Sequence, residues 1–304
     1  MPRRSHIVLA FAAVYLLWGS TYLGIAYAIQ TLPPMLMASA RFLLAGSIIY
    51  VYARLRGAAP PERHHWKPAL IIGGLMLLVG NGGVVLAERT VPSGLAALLI
   101  ASEPLWVALF ASLGARGAAP RGRRLVALLT GFAGVALLVS GRGIVGGDLG
   151  GMILVLISAA SWAAGSIYSI HAPRPASGLV ATAMQMFCGA ALQLLAGTLM
   201  GDWSRFDPAA VSLVSIGAFF YLVVAGSLIA YTAYAWLLRV VSPTSAATYA
   251  YVNPVVAMIL GWLIAGEPIT GRTIMAAVII LASVVMITTA RPPAPKRAPR
   301  LAEG

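Results

Sequence analysis

Charge and cysteine are what this sequence has least of. Of its 304 residues only 10% are charged, against roughly 25% in a soluble domain. With 60% of its residues hydrophobic, a chain of this length cannot cover a water-facing surface, so its solvent is mostly lipid. The single cysteine, Cys188, excludes an intramolecular disulfide and reads as a small packed residue in an apolar run. No glycine-rich phosphate loop is present, which excludes ATP-driven pumping by this chain alone. The histidines His6, His64, His65 and His171 fall in loops or near helix ends and form no zinc-protease pattern. Paired catalytic carboxylates and a nucleophile elbow are also missing. An enzyme is therefore not expected, and neither is a metal or a cofactor. The net charge of +13 invites a nucleic-acid partner, but the basic residues sit in short loops between apolar runs and no reading motif accompanies them. They are topology signals instead.

What is there is a succession of apolar runs of about the 20-residue length that spans a bilayer core. Ten are expected, over residues 7–29, 33–53, 68–87, 93–114, 124–141, 149–170, 179–199, 211–238, 244–265 and 270–290. Arg3 and Arg4 before the first run imitate a secretory signal. That run is long for a signal core and has a counterpart later in the chain, so it is expected to stay in the mature protein. Placing the N-terminus in the cytoplasm puts 16 Lys and Arg residues inside and 4 outside, with Arg41 embedded. This is the bias of the positive-inside rule, and it supports an even number of spans with both termini cytoplasmic. The Pro-rich basic stretch 291–304 is expected to be a disordered cytoplasmic tail.

The chain also contains its own half twice. Val91-Pro92-Ser93-Gly94-Leu95-Ala96-Ala97 matches Val241-Ser242-Pro243-Thr244-Ser245-Ala246-Ala247 at an offset of 150, and Glu103-Pro104 meets Asn253-Pro254 at the same offset. Near the start of each half the offset is 144, where Trp18 meets Trp162 and Arg41 meets Gln185. The expected fold is therefore an all-α integral membrane bundle of ten transmembrane helices in an inverted five-plus-five repeat. Residues 1–145 form the first unit and 146–290 the second. Five is odd, so the second unit enters from the opposite side. Inverted repeats are a recurring plan of secondary transporters, because two such halves can exchange conformations around one central site.

Embedded polar residues mark candidate sites, since a charge at a helix centre costs roughly 2.5–3.5 kcal/mol on insertion scales. Arg41 lies ~12 Å beyond Pro33 and Glu103 ~15 Å beyond Ser93 at the helical rise. Their similar depths allow them to pair. Two readings of Glu103 stand: it binds substrate or a coupling proton, or it is the structural partner of Arg41. Pro104 and Pro254 each follow a polar residue, and proline frees a carbonyl one turn earlier. Asn81, whose repeat counterpart is Tyr231, adds a polar group in the third span. Trp18, Tyr22, Trp162 and Tyr231 are aromatic candidates for a cavity lining that suits amino acids or aromatic cations, with Tyr168, Tyr234 and Tyr251 beside them. The expected substrate-binding set is Trp18, Tyr22, Arg41, Asn81, Glu103, Trp162, Gln185, Tyr231 and Asn253. Glu88 and Arg89, adjacent at the end of the third span, read as a solvated interfacial pair.

Several of these segments together resemble the drug/metabolite transporter superfamily in its ten-helix EamA branch, over about residues 7–290. They are Trp18-Gly19-Ser20-Thr21-Tyr22, Arg41-Phe42-Leu43-Leu44-Ala45-Gly46, Val79-Gly80-Asn81-Gly82, Val91-Pro92-Ser93-Gly94, Ser161-Trp162-Ala163-Ala164-Gly165-Ser166 and Ala250-Tyr251-Val252-Asn253-Pro254-Val255. The resemblance implies two five-helix units around a central cavity. It also implies export of amino acids, related metabolites or drugs across the inner membrane. The expected partners are a small-molecule substrate and the lipid bilayer, and a homodimer stays open. A channel or scramblase-like pore is the alternative.

Overall fold

The computed structural model describes residues 4–113, 121–139 and 148–289. The 291–304 tail expected from sequence lies outside them, as do Arg3, Arg116 and Arg142 of the charge pattern and the side chain of Tyr251. Among the described residues the chain is helical, with no strand. The segments are α1 (Arg4–Ala28), α2 (Pro34–Leu55), α3 (Arg63–Ala87), α4 (Ser93–Phe110) and α5 (Arg123–Val139). There follow α6 (Leu149–His171), α7 (Gly178–Leu199), α8 (Leu213–Val240), α9 (Tyr249–Ala265) and α10 (Gly271–Thr288). Seven of these, α1 to α4 and α6 to α8, are long and apolar enough to cross a membrane. The apolar stretches Val252–Ala265 of α9 and Gly271–Ile287 of α10 are shorter. Large apolar side chains such as Leu9, Leu43, Leu195, Leu213, Ile264 and Val278 point outward, as a bundle in lipid requires.

The main packing pairs obey a symmetry. α2 lies along α7, α5 along α10, and α4 against α9. α1 meets α8 and α9, while α6 meets α3 and α4; α3 also meets α7, and α8 meets α2. Exchanging each helix for the one five places away returns the same set of pairs. The ends are set by local chemistry. Pro34 starts α2 at a position where its missing N–H is no loss. Asp148, Ser177, Ser212 and Thr270 cap α6, α7, α8 and α10 with side-chain oxygens. α4 is interrupted at Ala101–Ser102, just ahead of Pro104, where the sequence implied the single run 93–114.

Two further caps reach across the repeat. Asp202, in the loop after α7, accepts from the Met35 and Leu36 amides at 2.9 and 3.3 Å and so holds the start of α2. Glu267, in the loop after α9, holds the start of α4. Its Oε1 accepts from the Ser93 amide at 2.8 Å and the Ser93 hydroxyl at 2.7 Å, and its Oε2 from the Gly94 amide at 2.9 Å. Hydrogen bonds to a charged group contribute about 1.5–3 kcal/mol. Glu267→Ala should therefore lower stability in detergent melting by about 1–3 kcal/mol, and Glu267→Gln by less. Unchanged melting of Glu267→Ala would mean that the two halves are not tied at this end.

Candidate functional site

One face of α1 supplies Trp18, Thr21, Tyr22 and Ile25, spaced as one helix side. Opposite it, α3 and α8 each contain a π-helical stretch, Gly73–Asn81 and Leu222–Tyr231. These are repeat counterparts. A π turn widens the helix and misaligns its carbonyls, and such stretches gather at functional sites. Side chains from neighbouring helices take up the freed groups. Trp18 Nε1 donates to the Gly226 carbonyl at 3.1 Å, Ser161 to that of Leu75 at 2.7 Å, Ser158 to that of Val79 at 3.0 Å, and Gln193 to that of Leu77 at 2.7 Å.

Between these elements lies a cavity of about 70 Å³. Trp18, Tyr22, Arg41, Asn81, Trp162 and Tyr231 line it together, and they come from both halves of the chain. The repeat mates Trp18 and Trp162 meet at its wall, ring centres 5.4 Å apart and planes at 83°. Tyr249 packs edge-on to Trp18 at 5.3 Å, and Tyr234 lies 5.0 Å from it. Edge-to-face contacts of this kind add about 0.5–1.5 kcal/mol each beyond burial and make the wall rigid.

Arg41 is the polar centre of the cavity. It is only 3% exposed. Its Nε donates to Ser227 Oγ at 2.8 Å, and its guanidinium carbon lies 4.8 Å from the centre of the Phe42 ring. Its Nη1 has no hydrogen-bond partner. Among the described residues the ion pairs are His64 with Glu62 and Arg205 with Asp202, so no carboxylate neutralises it. Gly226 makes room for it, since a Cβ there would fall 2.6 Å from Arg41 Nη2. Asn81 Oδ1 is likewise buried without a partner. An unpaired cationic donor and an unpaired acceptor thus share one aromatic-walled cavity. Trp162 Nε1, in the same wall, is also unpartnered, although buried polar groups are nearly always satisfied.

The EamA-like transporter family matches the chain twice, over residues 5–140 and 149–289. The chain belongs to this family. YedA of Escherichia coli (strain K12), an uncharacterized inner membrane transporter, is 39% identical over 280 residues, covering 92% of this chain and 89% of its own. Protein PecM of Dickeya dadantii (strain 3937) is 27% identical over 274 residues, 89% of this chain and 88% of its own. A crystal structure of a protein 21% identical in sequence superposes with a TM-score of 0.66, over 94% of this chain and 98% of that one. That likeness shows the fold. Family membership and the apolar helices make the chain a membrane transporter of small molecules.

In this EamA chain the other expected site residues lie outside the cavity lining. Gln185 lines a second pocket and accepts from the Tyr231 hydroxyl at 3.0 Å. Asn253 is buried; in the orientation that satisfies its amide it donates to the Tyr15 carbonyl at 2.8 Å and that of Tyr249 at 3.3 Å, joining α9 to α1. Glu103 is fully buried, with neither carboxyl oxygen partnered. It makes no ion pair with Arg41, whose hydrogen bond goes to Ser227. Glu88 corrects its sequence reading. It is buried at 8% exposure with both oxygens unpartnered, while Arg89 alone is exposed. Burial of the last turn of α3 removes the water the sequence implied. Tyr168 is 36% exposed and does not line the cavity.

Sequence reasoning missed Thr21, Phe42, Ser227 and Tyr249. The spacing of Trp18, Thr21, Tyr22 and Ile25 on one helix face was a usable signal for Thr21. None existed for Ser227, which matters only because α2 turns Arg41 toward α8.

Proposed function

We propose that this protein is a secondary transporter. It moves amino acids or related small metabolites across the inner membrane by alternating access, in the export direction that its family resemblance implies. The observation that carries this reading is the cavity between the two halves, in which the Arg41 guanidinium is buried with Nη1 unpartnered. Arg41 would hold a carboxylate, Asn81 Oδ1 would accept from an ammonium or hydroxyl, and the Trp18–Trp162 wall would take the apolar part. The segments α1 to α10 are read as ten spans, in two inverted units of five. Three observations support that arrangement: the sequence offsets, the packing pairs that survive exchange of the halves, and the matched π-helical stretches. Glu103 is read as the carrier of a coupling proton, because it is embedded, acidic and unpaired.

The functional test is a toxicity screen with amino acids and drugs in cells with and without the protein, followed by flux in proteoliposomes. The reading predicts resistance to particular amino acids or analogues and saturable, competable flux. Flux that never saturates would point to a pore and contradict it. Reporter fusions test the topology: both termini should report cytoplasmic, and a periplasmic signal from either would refute ten spans in this orientation.

A further inference from the structure

A second pocket, of about 40 Å³, opens beside the first. Tyr231 lines both, and its hydroxyl donates to Gln185, which lines the second pocket. Arg174, from the loop between α6 and α7, and Arg239, from the last turn of α8, stand at this second pocket. Arg239 donates through Nε to the Ala235 carbonyl at 3.1 Å. The rest of its guanidinium fills space that only a glycine leaves: a Cβ on Gly178 would sit 1.4 Å from Nη1. Arg174 lines the same pocket as Arg239. Among the described residues neither has an acidic partner. Two like charges have thus been brought to one pocket without the neutralising group that would make the contact structural. The other half lacks the pair. The repeat counterpart of Arg239 is Arg89, but that of Arg174 is Gln30.

We propose that this pocket is an anion-binding antechamber, in which Arg174 and Arg239 hold the carboxylate or phosphate of an incoming solute before the Tyr231–Gln185 contact opens toward Arg41. Its place in a transport path, and its position on the cytoplasmic side, rest on the function proposed above; anion binding itself does not. Paired guanidinium forks suit carboxylate and phosphate oxygens. Cations at a pocket mouth also concentrate anions there before they bind. The same oxygens occur on anionic lipid headgroups, so the experiment must separate the two sources.

The test uses the full-length protein in nanodiscs of phosphatidylcholine, with citrate or inorganic phosphate titrated against chloride at constant ionic strength. A ligand that binds only the folded state raises the melting temperature by mass action. The wild type should show a saturable rise of several degrees. In the R174Q/R239Q variant the midpoint should weaken by at least about tenfold, while melting without added anion is no lower than in the wild type. Gly178→Ala should lose the response with both arginines present. The rise should persist when half the lipid is phosphatidylglycerol. If phosphatidylglycerol abolishes it, the pocket takes a headgroup and the antechamber is refuted. No anion-specific rise in the wild type, or an undiminished rise in R174Q/R239Q, would refute it too. Absent flux with the anion response intact would count against the transport reading alone.

Discussion

Arg41→Gln should leave the protein folded and nearly stop transport. A charge-assisted hydrogen bond contributes about 1.5–3 kcal/mol, so losing it from a bound carboxylate should weaken apparent affinity roughly 10- to 150-fold. Stability should move the other way or not at all. An embedded charge costs roughly 2.5–3.5 kcal/mol, and the only side-chain hydrogen bond that Arg41 returns is the one to Ser227. The amide keeps a donor for that contact. Arg41→Lys should fall between, because an ammonium supplies a point charge but cannot hold Ser227 and a solute in the fork geometry of a guanidinium. Concentration-dependent flux in proteoliposomes, beside melting curves, decides the matter. Arg41→Gln that melts well below the wild type and transports normally would make this arginine a structural anchor.

Glu103→Gln should separate coupling from transport. The side chain is fully buried and neither oxygen has a partner. Glutamine keeps its shape but removes both charge and titration. Accumulation driven by a proton gradient should fall at least about tenfold, to the level without a gradient. Exchange of labelled for unlabelled substrate should continue, because exchange needs no net proton movement. Melting should not fall, since no ion pair is broken. The competing reading, a structural pair with Arg41, predicts the opposite pattern: Glu103→Gln destabilised by an uncompensated buried charge, with partial recovery in the double variant. Additive melting effects in Arg41→Gln/Glu103→Gln would exclude the pair. Undiminished gradient-driven accumulation in Glu103→Gln would exclude the coupling role.

The contrast between these two residues shows what the sequence could and could not convey. Depth was legible, because the helical rise is constant: Arg41 and Glu103 fall ~12 and ~15 Å into their helices. Azimuth was not. α2 packs on α7 and α8, whereas α4 packs on α6 and α9, so two charges at similar depth face different neighbours. The repeat was legible because it persists in particular residues, and it brought out Trp18 and Trp162, whose rings touch. Tyr249 lines the cavity, and the aromatic residues of the sequence alone did not single it out. Span boundaries shifted for a related reason. The sequence places the third span at 68–87, but the helical run begins at Arg63 and changes to π geometry at Gly73. Hydropathy reports the apolar interior and not the turn type. The burial of Glu88 was also illegible, since a charged residue at a helix end is solvated unless other helices close over it.

Access to the cavity from both sides of the membrane tests the central claim most directly, and it needs no knowledge of the substrate. Thr21 lines the cavity, and Cys188 is the only cysteine in the chain, so Thr21→Cys in a Cys188→Ser background places one thiol at the site. A membrane-impermeant thiol reagent is then applied to right-side-out and to inside-out vesicles, with ionic conductance recorded on the same protein in planar bilayers. Alternating access predicts labelling of residue 21 from each side in turn and no steady conductance. Labelling from one side only, or labelling from both sides together with a sustained current, would contradict it.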